Sequence, residues 1–208
     1  MANDNVARGL VPLNWPSNTP VHYYRVATNN NMFLGELVDI SSTGYVTNAI
    51  DVTSAGTIIA IGVAVGFAGP FKKGLVGGND PYLKAADLTT LAAGLEAGDR
   101  YVAVADDPNQ LFVIQGDTGG SMATVAAQGE SAALIYRSTS GSTATGWANL
   151  ELDASSNATG ATQAVRLIQL HDVVNTDGSM NVGSANYAKW VVKILNHRNS
   201  NAAVSAAV

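Results

Sequence analysis

Residues 187–195 read Tyr-Ala-Lys-Trp-Val-Val-Lys-Ile-Leu, and their alternation is the clearest structural signal in the chain. Ala188, Trp190, Val192 and Ile194 fall on one side; Tyr187, Lys189, Val191, Lys193 and Leu195 fall on the other. A period of two belongs to a β-strand, whose successive side chains point to opposite faces. The pattern predicts that the first set enters a core and that both lysines face solvent.

Working back from this strand, the same kind of segment recurs. Residues 164–171, 149–153, 133–137, 111–115, 100–105, 57–67, 45–50, 32–40 and 21–28 read as short strands separated by turn residues. The apolar run 57–67 contains Gly62 and Gly66, which would admit a bulge or bend. Asp106-Asp107-Pro108-Asn109 reads as a turn, since Asp hydrogen-bonds locally and Pro presets φ. Only residues 84–95 suggest a helix, with Ala85, Leu88, Leu91, Ala92 and Leu95 at helical spacing. The fold class expected is mainly β: a β-barrel, β-tulip-like or sandwich core with an extended N-terminal arm.

Four regions follow. Residues 1–20 form the arm, because Pro12, Pro16 and Pro20 favour an extended path. Residues 21–116 form a β-barrel-like core. Residues 117–197 complete that core or form a second small β subdomain. Residues 198–208 form a flexible tail. The arm carries Leu10, Val11, Leu13 and Trp15 between its prolines, and these are the expected contacts with a neighbouring subunit. The arm tucked back onto its own domain is the equal alternative.

Composition narrows the function. Hydrophobic residues make up 47% of the 208, which is ordinary for a folded chain, but charged residues only 13%, about half the usual roughly 25%. Ser, Thr, Asn and Gly keep such a surface wet, as in residues 138–146 and 154–162. Low charge also lowers the desolvation cost of packing against neighbours, which suits a subunit of an assembly. A net charge of −5 with scattered basic residues argues against nucleic acid as partner. The polar, acidic start is not a secretory signal, and the longest apolar run is too short for a bilayer, which takes about 20 residues. Folding in a cytoplasm and no membrane partner are the expectations. With no cysteine, disulfides and thiolate metal sites are excluded.

The one string that looks catalytic is Gly116-Asp117-Thr118-Gly119-Gly120-Ser121. It is similar to the nucleophile segment of trypsin-like proteases, with Thr118 at the nucleophile position, and it contains the Asp-Thr-Gly of aspartic proteases. His22, His171 and His197 stand in no matching context, and no second Asp-Thr-Gly occurs. A Gly-rich turn is the plainer reading. The histidines have no metal-ligand spacing, and Asp106-Asp107 with Asn109, like Asn175-Thr176-Asp177-Gly178, reads as a hairpin turn before a cation site. No nucleotide-binding glycine motif is present. No catalytic, cofactor or metal residue is therefore expected.

Several segments together resemble the capsid decoration, or cement, proteins of tailed bacteriophages. They are His22-Tyr23-Tyr24-Arg25-Val26-Ala27, Phe33-Leu34-Gly35-Glu36-Leu37-Val38 and Gly56-Thr57-Ile58-Ile59-Ala60-Ile61-Gly62-Val63. Tyr101-Val102-Ala103-Val104-Ala105-Asp106-Asp107-Pro108, Leu111-Phe112-Val113-Ile114-Gln115 and Val191-Val192-Lys193-Ile194-Leu195-Asn196-His197 complete the set, in order, across most of residues 21–197. The resemblance implies a β module on the outside of the expanded virion shell, commonly a trimer, bridging major capsid protein subunits without catalysis or cofactor. It also implies assembly in the host cytoplasm. Many such proteins are shorter, so the region after Gly116 would be an addition. The alternatives are another phage structural part (a head fibre, head-completion or tail-tube protein) and a carbohydrate-binding β module, suggested by three tryptophans and seven tyrosines.

Overall fold

The computed structural model describes residues 3–14, 19–26, 31–49, 58–68, 82–83, 100–118, 127–156, 163–182 and 186–200. The helix read over 84–95 lies outside these residues, as do Trp15 and the second half of the Gly116–Ser121 string.

The chain is mainly β, with twelve strands in three sheets among the described residues. The first sheet joins β1 (Val11–Pro12), β7 (Leu111–Gln115), β12 (Lys189–Ile194), β11 (Val165–Leu170) and β8 (Ser131–Ala132) in that order. The second joins β2 (His22–Arg25), β6 (Tyr101–Ala105), β5 (Gly62–Ala68), β3 (Leu37–Ile40) and β4 (Val46–Asn48). The third is the hairpin of β9 (Leu134–Gly141) and β10 (Ala148–Leu152). Every ladder is antiparallel.

The alternation of 187–195 has the consequence predicted for its inner face. Ala188, Trp190, Val192 and Ile194 are all buried, and Trp190 is flanked by Ile114 on β7 and Leu170 on β11. On the outer face Lys189 and Lys193 are half-buried, while Val191 is buried too. In β5 the register against β6 slips between Ala64 and Gly66, the bulge that the glycine invites.

Single bridges tie the sheets to one another around one core. Ala60 meets His197 between the second sheet and the first, Gly116 meets Leu152 between the first and third, and Leu34 meets Trp147 between the third and second. The core inside draws Phe33, Leu37 and Val63 from the second sheet's side, Phe112, Leu167 and Trp190 from the first, and Leu134 and Leu150 from the third. Residues on both sides of Gly116 share it. A second cluster, with Val38, Val46, Phe67, Val102 and Val104, lies on the second sheet's other face. That sheet is thus apolar on both sides.

Residues 198–200, read as the start of the tail, are described, and Arg198 is tied to the body of the chain. The Arg198 guanidinium donates from two nitrogens to the two oxygens of Asp39 on β3, a fork geometry that a lysine would not reproduce. Residues 201–208 lie outside the described set.

Candidate contact surface

The N-terminal segment decides what the surface looks like. Its extended path is as the prolines predict, but residues 3–14 lie on their own domain. The Asn3 side chain is buried and makes four hydrogen bonds. Its Nδ2 donates to the carbonyls of Val182 (2.9 Å) and Asn186 (3.1 Å), and its Oδ1 accepts from Val182 N (3.0 Å) and Asn175 Nδ2 (3.3 Å). Asp4 accepts from the N–H (2.7 Å) and hydroxyl (2.8 Å) of Thr176. Val6 N–H donates to Gln115 Oε1 at 2.8 Å. Leu10 N–H donates to Gly35 O, Val11 and Pro12 pair with Val113 and Phe112, and Leu13 N–H donates to Leu111 O.

These contacts correct part of the arm reading. Leu10 has no exposed surface and belongs to the chain's own core, so in this structure it has nothing to offer a neighbour. A buried leucine gains roughly 1.5–3 kcal/mol over an exposed one, and the nearest apolar volume is that of its own domain. Val11 and Leu13 remain partly exposed. Asn3→Ala should cost roughly 1–3 kcal/mol, because it strips partners from the buried Asn175 amide and from partly buried backbone groups of Val182 and Asn186. Urea unfolding measures the loss, and hydrogen exchange at the Val182 amide should quicken. Unchanged protection there would mean that the staple does not hold.

Between the N-terminal segment and residues 171–176 lies an open groove of about 460 Å³. It runs over the outer face of the first sheet. Its apolar walls include Val6, Val11, Pro12, Leu13, Val113 and Val173, and its polar lining includes Asp4, Arg8, Gln115, His171, Thr176 and Lys189. The sheet register explains the order. Val11, Val113 and Val191 form one cross-strand row, and Gln115 and Lys189 form the next, with His171 N–H bonded to Lys189 O. Burial holds the His171 pKa below its ordinary value, so the ring is neutral at pH 7.

Beside the groove, Val174 and Met180 pair across a hairpin whose turn is Asn175-Thr176-Asp177-Gly178. The turn was legible; its cargo was not. Val174 is 58% exposed, Met180 53%, Val182 37% and Val6 47%. Val174 and Met180, paired on the hairpin, form an exposed aliphatic pair suited to an interaction surface. The hairpin is held from below by Asn3 and Asp4, so its tip is presented on a fixed base.

The string at Gly116 has a bracing role where it is described. Asp117 N–H donates to Leu152 O, its Oδ1 accepts from Ala154 N at 3.0 Å, and its carbonyl accepts from Tyr187 N. It fastens β7 to the end of β10. Burial raises the Asp117 pKa. Nearby Glu151 is also raised by burial, against the hydrogen bond from Gln115 Nε2 at 2.7 Å. Arg137 stands 3.7 Å from Glu151 and over the Tyr187 ring. Tyr187 itself has φ +62°, a left-handed conformation uncommon for an aromatic residue.

The histidines are dispersed. His22 Nδ1 bonds Asp106 at 2.8 Å, and Tyr24 Oη donates to the same carboxylate. Asp107 and Asn109 close the turn between β6 and β7 through Asn109 N to Asp107 Oδ1. Among the described residues no three His, Asp or Glu side chains group as metal ligands, and no helix is long and apolar enough to cross a membrane. Sequence reasoning missed Asn3, Asp4 and the exposed hairpin aliphatics, for their roles depend on contacts more than 170 residues apart in the chain.

No protein-family model, curated protein or solved structure matches this chain.

Proposed function

We propose that this protein is a structural virion component. In this reading it binds the outside of an expanded tailed-phage capsid and bridges major capsid protein subunits, as a homo-oligomer with a trimer favoured. Its groove and hairpin serve as contact surface, with no catalytic residue and no cofactor.

The observation that carries the reading is the aliphatic group Val6, Val174, Met180 and Val182, held exposed beside an apolar-walled groove on a rigid β frame. The sparse charge of the chain supports it, since neutral polar surface is cheap to desolvate. The segments named above as resembling decoration proteins support it as well. The mechanism is linkage. A subunit that binds only the expanded lattice adds its binding free energy to that state, and symmetry repeats a modest contact many times.

Purified protein mixed with expanded shells that lack it should co-sediment and raise their disruption temperature. Met180→Asp should weaken binding by about tenfold or more, because a charge replaces a buried aliphatic contact. Failure to sediment with shells, or assembly into rings or fibres alone, would overturn the proposal.

A further inference from the structure

Arg8 and Lys189 both line the groove, and neither has a carboxylate partner among the described residues. The third cationic candidate, His171, is neutral at pH 7. The acid in the groove, Asp4, already accepts the Thr176 N–H and hydroxyl. The Arg8 guanidinium lies 5.9 Å from the centre of the Trp147 ring, a contact that leaves its positive charge uncompensated. Two positive charges thus border a floor whose rows alternate: Val11 and Val113 first, Gln115 and Lys189 next.

We infer that the groove is the docking site for an extended, acidic–aliphatic segment of a partner polypeptide. Aliphatic side chains of that segment settle against Val11, Leu13, Val113 and Val173. Its carboxylates reach Arg8 and Lys189. An extended segment matches the site because its side chains repeat every second residue, as the rows of the sheet do. A basic segment is excluded by the same two charges, which is how such a site would discriminate. Who supplies the segment rests on the shell-binding reading, where it belongs to the major capsid protein. The chemistry of the groove does not depend on that reading.

The test uses the full chain and two capped hexapeptides with serine at every second position: one carries leucine, glutamate and leucine at its first, third and fifth positions, which share a face in an extended segment, and the other has lysine in place of glutamate. Titration followed by NMR should move the amides of Val113, Val173 and Lys189 with the glutamate peptide and leave them still with the lysine peptide. Binding should weaken as salt rises, since Arg8 is exposed and Lys189 only half-buried. Arg8→Glu combined with Lys189→Glu should weaken the glutamate peptide by about tenfold and let the lysine peptide bind. That gain separates a reversed groove from a misfolded one. Equal binding of both peptides, no shift at about 1 mM, or no reversal in the double variant would overturn the inference. Wild-type protein that sediments with shells yet binds neither peptide sinks the groove and keeps the shell reading. Peptide binding without shell binding does the opposite.

Discussion

Gly35→Ala is expected to lower stability by at least about 4 kcal/mol, enough to unfold a typical domain of marginal stability. Two costs combine. The residue has φ +84°, where a side chain is strained, and a Cβ there would lie 2.2 Å from the carbonyl oxygen of Arg8. The clash is with backbone, and that backbone cannot retreat. Leu10 N–H is bonded to Gly35 O, and Leu10 is locked in the core. Gly9 repeats the argument from the other side, with φ +63° and a Cβ position 2.4 Å from Gly35 O. Gly44→Ala is the control. It has φ +80° but nothing within 4 Å, so it should lose only about 1 kcal/mol, the conformational part. Urea midpoints of the three variants give the comparison. If Gly35→Ala and Gly9→Ala unfold where Gly44→Ala does, the N-terminal segment does not pack on the Gly35 turn, and the free-arm reading returns.

This crossing also shows where sequence reading stops. The strand at β12 was legible because its information is local: a period of two over nine residues already says which side is core. The bulge near Gly66 and the turn at Asp106–Asn109 were legible for the same reason, through residue types with fixed backbone habits. The destination of the N-terminal segment was not. Prolines say that a chain is extended, but not what it lies against. Leu10, Val11 and Leu13 look alike in sequence, yet Leu10 is buried and the other two line the groove. What separates them is Gly9 meeting Gly35, a contact between distant parts of the chain. β8, two residues long, carries too little pattern to be seen. The contact surface was legible only as a tendency, low charge. Its position depends on Asn3 and Asp4 holding a hairpin from the far end of the chain.

Glu36→Gln is expected to make the protein more stable above pH 8 and to flatten its stability between about pH 4.5 and 8. Glu36 is fully buried at the turn before β3. Its Oε2 accepts from Phe33 N–H at 2.8 Å and from Asn48 Nδ2 at 3.2 Å, and Tyr136 Oη on β9 lies 3.1 Å from its Oε1. The carboxyl thus bolts the second sheet to the third. Burial pushes its pKa up to about 8, and the hydrogen bonds from Phe33 and Tyr136 only partly offset this. The unfolded chain releases the same proton near 4.5. Between these values the native state binds more protons than the unfolded one, so stability falls as pH rises. The contribution is whole below about 4.5 and gone above about 8, a difference on the order of 5 kcal/mol. A glutamine copies the protonated acid. Its oxygen accepts from Phe33 and Asn48, and its amide donates to the Tyr136 oxygen, with no charge to bury at any pH. Urea unfolding of wild type and variant at pH 5, 7 and 9 would show the two curves diverging with pH. Parallel curves would mean that Glu36 is already ionised in the folded protein at neutral pH, and that the bolt is an anion held by its three donors.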